Sequence, residues 1–252
     1  MNIIVSCKIV PDDQDIQVAS DRTLDYSKAK GTVSTYDLNA IEAAAQLAAA
    51  VEGSKVTAVT AGPASVDDSK LKKNVLARGV DELVMAADDA YANMDAHATA
   101  EALAALVAKA GDWDVVVCGD GSADDYAQQV DVQLAARLGV PVVNAAVKIT
   151  PEDGALVVER VLEDVVETVR VPLPAVVSVT PDVAVPRIPG MKDILAAGKK
   201  PMEVVGAGGD VAASLETVAC LAPEQASRKL EILDASSDGA VEQFAAALKA
   251  AL

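Results

Sequence analysis

Over its first 145 residues the chain alternates short Val/Ile-rich runs with longer stretches of helical period. Ile3 to Val10, Lys55 to Ala61, Glu82 to Ala86 and Val115 to Cys118 read as strands. Tyr36 to Val51, Ser69 to Arg78, Ala96 to Ala110 and Ala127 to Leu138 read as helices. Strands joined through helices run parallel, because a crossover that holds a helix brings the chain back to the same end of the sheet. The runs lack polar alternation, as strands covered on both faces should. The expected fold class is therefore α/β: a doubly wound, mostly parallel sheet with helices on both faces. Boundary residues agree with it. Asp37, followed by Asn39 and Glu42, can cap the first helix, and Gly53, Gly79 and Gly111 stand where helices should stop.

From Ala145 the rhythm changes. Charged and apolar residues alternate on either side of a Pro151-Glu152-Asp153-Gly154 turn, which predicts an antiparallel β-ribbon within about residues 146–180, with one wet face. Pro172 to Val179 returns to a buried strand, and a proline-punctuated loop with a short helix occupies about 184–200. Beyond Gly206 hydrophobic residues are sparse until a last helix from Val241 to Leu252. Residues 1–205 are thus expected to form one α/β domain that includes the ribbon. Residues 206–252 are expected to be a C-terminal arm packing on a partner subunit, or a disordered terminus.

Composition excludes several functions. A formal charge of −17 argues against a general affinity for nucleic acid or anionic lipid, which need Lys and Arg to neutralise phosphates. Aromatic residues make up 2% of the chain, too few for base stacking. His97 is the only histidine, which removes serine triads and multi-histidine metal sites; it reads as structural or exposed. Cys7, Cys118 and Cys220 are odd in number and far apart, which fits a reducing cytoplasm and no cysteine-based metal site. Neither a signal peptide nor a membrane-spanning run is evident, so a cytoplasmic location without membrane insertion is expected.

The stretch from Val115 to Val130 leaves an apolar strand, passes two glycines and three carboxylates, and enters a helical pattern. Ligands of open parallel sheets bind outside the carboxyl ends of strands, where strand order reverses. Gly119 and Gly121 let the backbone approach a ligand, and the next helix offers free N–H groups to a phosphate, a geometry that suits an adenine nucleotide. Asp120, Asp124 and Asp125 would repel phosphate unless they point away, cap the helix or bond a ribose; an acidic cap without ligand is the plainer reading. Neither common phosphate-loop fingerprint is present. Ser6-Cys7-Lys8, Ser34 to Asp37 and Thr60 to Pro63 end a strand or open a helix, and in a doubly wound fold they gather on the edge that holds Gly119. Cys118 reads as an inert buried thiol, Lys199 and Lys200 as a solvated helix end, and Met191 as either an exposed anchor or a buried side chain.

Several segments resemble, in order along nearly the whole chain, the β subunit of electron-transfer flavoproteins, in the branch associated with anaerobic carnitine reduction. They are Lys8 to Ile16, Ser34 to Ala44, Cys118 to Val130, Val158 to Asp164, Leu173 to Val179 and Met191 to Pro201. The resemblance implies a Rossmann-like, adenine-nucleotide-binding fold and no catalytic residues or metal site of its own. It implies a heterodimer with an α subunit that holds the redox FAD, and electron shuttling between flavin-dependent dehydrogenases or reductases. The β subunit's own pocket would hold AMP, or in electron-bifurcating members a second FAD; both stay open here. By position, that pocket would use Ser6, Ser34, Thr35, Tyr36, Asp37, Ala61, Gly119, Asp120, Gly121, Ser122, Ala123, Asp124, Asp125, Tyr126, Ala127, Gln128, Gln129 and Val130. Met191, supported by Ile188, Ile194 and Leu195, would dock partner dehydrogenases where the family often has leucine.

Two other readings compete. A nucleotide-sensing module of similar fold would bind AMP or ATP without redox work. An enzyme that activates substrates with ATP would need a phosphate loop, which the chain lacks.

Overall fold

A computed structural model describes residues 1–206, 211–225 and 230–251. In chain order the strands are β1 (Asn2–Ser6), β2 (Ile9–Pro11), β3 (Gln17–Val18), β4 (Leu24–Asp25), β5 (Gly31–Val33), β6 (Lys55–Gly62), β7 (Glu82–Ala87), β8 (Val115–Gly119), β9 (Val142–Glu152), β10 (Ala155–Val161), β11 (Val166–Pro172), β12 (Ala175–Val179) and β13 (Met202–Val205). The helices are α1 (Thr35–Ala50), α2 (Ser69–Leu76), α3 (Ala96–Ala110), α4 (Val130–Leu138), α5 (Met191–Ala197) and α6 (Ala240–Ala251).

Nine strands form one sheet in the order β11-β10-β9-β12-β8-β1-β6-β7-β13. From β9 through β13 neighbours run parallel, with Ile3 opposite both Val56 and Val115. Side chains of a strand alternate between faces, and the packing follows that alternation. Ile3, Val5, Val115 and Val117 bury against Ile41, Ala44 and Leu47 of α1 and Val75 and Leu76 of α2. Ile4, Val59, Val84 and Val116 bury on the other face, against Leu103, Leu106 and Val107 of α3 and Leu134 of α4. The sheet is therefore doubly wound, as its uninterrupted apolar strands predict.

The first predicted strand is two. β1 stops at Ser6, and β2 pairs antiparallel with β5 in a separate small sheet. The predicted ribbon is a three-stranded antiparallel meander, β9-β10-β11, fused to the large sheet through β9, which pairs parallel with β12. The helix expected from Ala127 starts at Val130, because Tyr126 and Gln128 adopt φ of 45° and 54°, outside any helix. Edge strand β13 was not foreseen. Gly111 closes α3 with φ of 96°, a left-handed value that favours glycine.

By internal contacts the chain divides into residues 1–17 with 25–219, and residues 18–24 with 220–252. In the second unit Thr23 bridges Leu221, the Ala222 N–H donates to the Arg22 carbonyl, and α6 leaves Val241, Phe244 and Leu248 exposed. Within the first unit the Ser214 and Leu215 N–H groups donate to the Asp95 carboxylate at 2.7 and 2.9 Å. Residues 207–210, 226–229 and 252 of the expected arm lie outside the described residues. Among the described residues no helix is long and apolar enough to cross a membrane.

Candidate functional site

Strand β1 lies between β8 and β6. The chain leaves β1 toward β6 and β7 on one side and returns to β8 on the other, so strand order reverses there and a crevice opens at the carboxyl ends. Ser6 of β1, Ala61 of β6 and Cys118 and Gly119 of β8 line one solvent-open cleft with a cavity volume of about 120 Å³. Its other walls come from Met94 to Ala96 and Thr99 where α3 begins, and from Gly121, Ser122, Asp125 and Ala127 to Asp131.

Asp37 organises the floor. It does not cap α1 from outside; Ser34 is the N-cap residue, without a side-chain capping bond, and Asp37 sits buried in the first turn. Its carboxylate accepts the backbone N–H groups of Lys8, at 2.8 Å, and Gly119. The ends of β1 and β8 are thereby tied to one side chain. Burial pushes this carboxyl up to about 7, against the pull of those two N–H groups and the Lys8 ammonium. Gly119 must be small here, since a Cβ would lie 2.8 Å from Asp37 Oδ1 and 3.1 Å from the Tyr36 backbone. Cys7 and Cys118 also line the cleft. Burial drives the Cys7 thiol far up and that of Cys118 up to about 12, so neither is a nucleophile.

The loop after β8 is held from both sides. Lys8 Nζ lies 2.8 Å from Asp124 Oδ1 and 3.0 Å from Asp125 Oδ2. Burial pulls the ammonium down, but the two carboxylates outweigh it and the net shift is upward. The Ala123 N–H donates to Ser34 Oγ at 3.2 Å. Tyr126 packs its ring 4.9 Å from that of Tyr36, and its hydroxyl donates to Asp120 Oδ2 at 2.9 Å. The same ring lies where a Cβ on Gly121 would be, 2.2 Å away, so glycine is required under it. Bulky side chains seldom take positive φ, and the ring packing and the Asp120 bond hold Tyr126 there.

An adenosine moiety fits this chemistry. Asp120 lines the cleft, and its Oδ1 is a buried acceptor without a hydrogen-bond partner in the protein, of the kind a ribose hydroxyl or an exocyclic amine satisfies. Burial pushes the Asp120 carboxyl up, countered by the Tyr126 hydroxyl and reinforced by Asp131. Helix α4 opens into the cleft at Gln129, Val130 and Asp131 with no side-chain cap, leaving first-turn N–H groups for an anion. Asp131 is itself occupied by the Ser178 hydroxyl. Among the described residues no cluster of side chains could hold a metal ion.

Of the residues expected at the pocket, Ser6, Asp37, Ala61, Gly119, Asp120, Gly121, Ser122, Asp125, Ala127, Gln128, Gln129 and Val130 line the cleft. Ser34, Tyr36, Ala123, Asp124 and Tyr126 stand behind it and shape the loop, while Thr35 is exposed. Sequence reasoning placed Lys8 on this edge without giving it a role, and it passed over Asp131 and the start of α3. The same strand-end rule that singled out Gly119 points to α3, which follows the carboxyl end of β7.

The segment expected to dock partners protrudes. Ile188 is 93% and Met191 75% exposed, and Ile194 and Leu195 are exposed too. Its base is clamped to α1: Asn39 Nδ2 donates to the Ala184 carbonyl at 2.8 Å, and the Glu42 carboxylate accepts Arg187 Nε at 2.6 Å and Nη2 at 3.0 Å. Lys200 is not solvated as predicted; its ammonium donates to the Leu76 and Val80 carbonyls. His97 is exposed, with its ring 2.8 Å from Arg137 Nη2.

The electron transfer flavoprotein domain is matched over residues 22–210, more than half of the chain and every strand of the large sheet except β1. The chain therefore belongs to the electron transfer flavoprotein domain family, whose members associate with flavin and carry electrons.

Proposed function

We propose that this chain is the β subunit of a heterodimeric electron-transfer flavoprotein, in the branch associated with anaerobic carnitine reduction, working in the cytoplasm. It passes electrons between flavoenzymes such as acyl-CoA dehydrogenase-type partners, with the redox FAD held mainly by the α subunit. Its own cleft takes AMP, or the adenosine end of a second FAD. The observation that carries this reading is the convergence of Ser6, Ala61, Gly119 and Asp120 on one cleft in which Asp120 Oδ1 lacks a donor.

Bound flavin supplies the reversible uptake and release of electrons. The residues of this chain position and shield. Asp120 accepts a hydrogen bond from the ribose or base, and the first turn of α4 together with Lys8 faces the phosphate. Ile188, Met191, Ile194 and Leu195 contact the dehydrogenase, and residues 206–252 pack on the α subunit. Electron transfer between cofactors needs proximity and tuned potentials rather than a general base, which accords with the poverty of catalytic side chains.

Co-expression with the α subunit, followed by extraction and quantification of nucleotides, tests the proposal. One FAD with one AMP per heterodimer fits a simple carrier, and two FAD make electron bifurcation available. A colourless protein that binds AMP without a flavoprotein partner would instead make it a nucleotide-sensing module, and absence of any adenine nucleotide would end the proposal.

A further inference from the structure

The protruding segment is held at its two ends and little along its length. Of α5 only Ala197 is buried, while Met191, Ile194 and Leu195 are exposed. A helix of seven residues falls well short of the about 12–15 that an isolated helix needs to persist in water. Its pose is therefore set by what grips the chain before and after it.

Both grips close on one turn, residues 76–80, where α2 ends and the chain reverses toward β7. Before α5, Arg78 Nη1 donates to the Arg187 carbonyl at 2.5 Å, which adds to the bonds between Arg187 and Glu42. After α5, Lys200 Nζ donates to the Leu76 carbonyl at 2.8 Å and to the Val80 carbonyl at 2.5 Å. Leu76 is the last residue of α2. The final carbonyls of a helix lack partners within it and carry the negative end of its dipole, so an ammonium suits them. Gly79 turns the chain between the two acceptors with φ of 93°, and a Cβ there would lie 2.9 Å from Ala45 Cβ and 3.0 Å from Arg187 Nη1. The turn and its two grips are thus packed as one unit. Beyond Lys200 the backbone is tied too: the Leu83 N–H donates to the Pro201 carbonyl at 3.1 Å, and β13 pairs with β7 from Met202 onward.

We infer that Lys200 is a positioning residue for electron transfer. Its ammonium closes the frame around residues 188–199, so that Ile188, Met191, Ile194 and Leu195 meet a partner in a preset arrangement. The entropy cost of ordering the segment then falls on folding rather than on docking, and the partner meets a surface that needs no rearrangement. Lys199, next in the chain, is exposed and stands outside the frame. This inference rests on the docking role proposed above for the segment and adds to it how the segment is held.

The flavin-loaded complex from co-expression, with an acyl-CoA dehydrogenase reduced by its acyl-CoA substrate as electron donor, tests it. Lys200→Met keeps the aliphatic stem and removes the N–H donors. The apparent KM for the dehydrogenase should rise about fivefold, while the rate at saturating dehydrogenase and the reduction by dithionite stay within about twofold. Lys200→Arg, which restores a cationic donor, should recover most of the loss. Lys199→Met removes the same charge outside the frame and should leave KM within about twofold. An unchanged KM in Lys200→Met overturns the inference, and so does an equal rise in Lys199→Met, because surface charge would then be the cause. Should Lys200→Met fail to fold, hydrogen exchange of the parent complex without dehydrogenase decides. Amides of residues 194–197 should exchange at least about tenfold more slowly than in an unstructured chain, and coil-like exchange overturns the inference. Met191→Ala, measured alongside, separates the two claims. A KM raised by Met191→Ala and not by Lys200→Met leaves the docking role standing without the positioning residue, whereas a KM moved by neither ends the docking role and this inference with it.

Discussion

Asp37 Oδ2 accepts the backbone N–H of Lys8 at 2.8 Å, so a carboxylate in the first turn of α1 fixes the point where the chain leaves β1. The bond is made inside the protein, and burial sets the proton affinity of the group that makes it.

The pH dependence of stability should carry the mark of that burial. The Asp37 carboxyl rises from 3.8 to about 7, so between these values the native state keeps a proton that the unfolded chain has released. Stability from this group is therefore present at low pH and lost as pH rises toward 7, the reverse of a salt-bridged carboxylate. Comparing the parent with Asp37→Asn by denaturant unfolding, the parent should lose about 3 kcal/mol relative to the variant between about pH 4 and pH 7.5. Parallel pH profiles would show that Asp37 titrates normally.

Gly119→Ala should cost about 2 kcal/mol and abolish nucleotide retention, because the new methyl meets Asp37 Oδ1 and the Tyr36 backbone, which the α1 start cannot move aside. Thermal unfolding and nucleotide extraction check the two effects separately. Unchanged stability would mean that α1 yields.

The clamp between Glu42 and Arg187 offers a cleaner separation. Arg187 raises its own proton affinity through the Glu42 hydrogen bonds, while burial of Glu42 is outweighed by Arg187 and its carboxyl falls. Glu42→Gln should cost about 1–2 kcal/mol and loosen residues 184–190, which hydrogen exchange would register as faster amides there, with those around Gly119 unchanged. Uniform acceleration across both regions would contradict a local clamp.

Met191→Ala should leave stability within about 0.5 kcal/mol, as an exposed side chain does. Electron delivery from a dehydrogenase partner should nevertheless slow several-fold at low partner concentration. If the rate is untouched, the protruding segment is not the contact.

Thiol labelling gives a rapid check on the interior. Cys220 is exposed while Cys7 and Cys118 are buried with raised proton affinities. The native protein should titrate one thiol with a disulfide reagent, and the denatured protein all three.

Where burial on two faces dictates the residues, the sequence is easy to read: Val115 to Cys118 announces β8 to within a residue, and Lys55 to Ala61 announces β6. β13 escaped because Met202 and Val204 are exposed on an edge strand, so no apolar run marks it. The start of α4 was misplaced for a different reason. Ala127, Gln128 and Gln129 are acceptable in a helix, but the Tyr126 to Asp120 bond and the ion pairs of Lys8 with Asp124 and Asp125 draw the chain into another path, and those ion pairs join residues over a hundred positions apart. Asp37 followed the same logic: a helix-start carboxylate reads as a cap until strands from elsewhere close over it. Strand-end residues of the cleft were legible from topology, whereas Lys8 and Asp131 acquire meaning only from partners distant in sequence.

The position of β12 shapes how the protein can be made. Ala175 lies opposite Val115 and Val176 opposite Val142, so the strand that joins the meander to the parallel half is synthesised after both. Until residues 175–179 leave the ribosome, β8 and β9 each present an unpaired apolar edge, the kind of edge that invites association with other chains. A growing chain must therefore hold the meander and the parallel part apart until β12 is inserted between them, and a product truncated before Ala175 would be exposed to aggregation at its centre as well as at its margins.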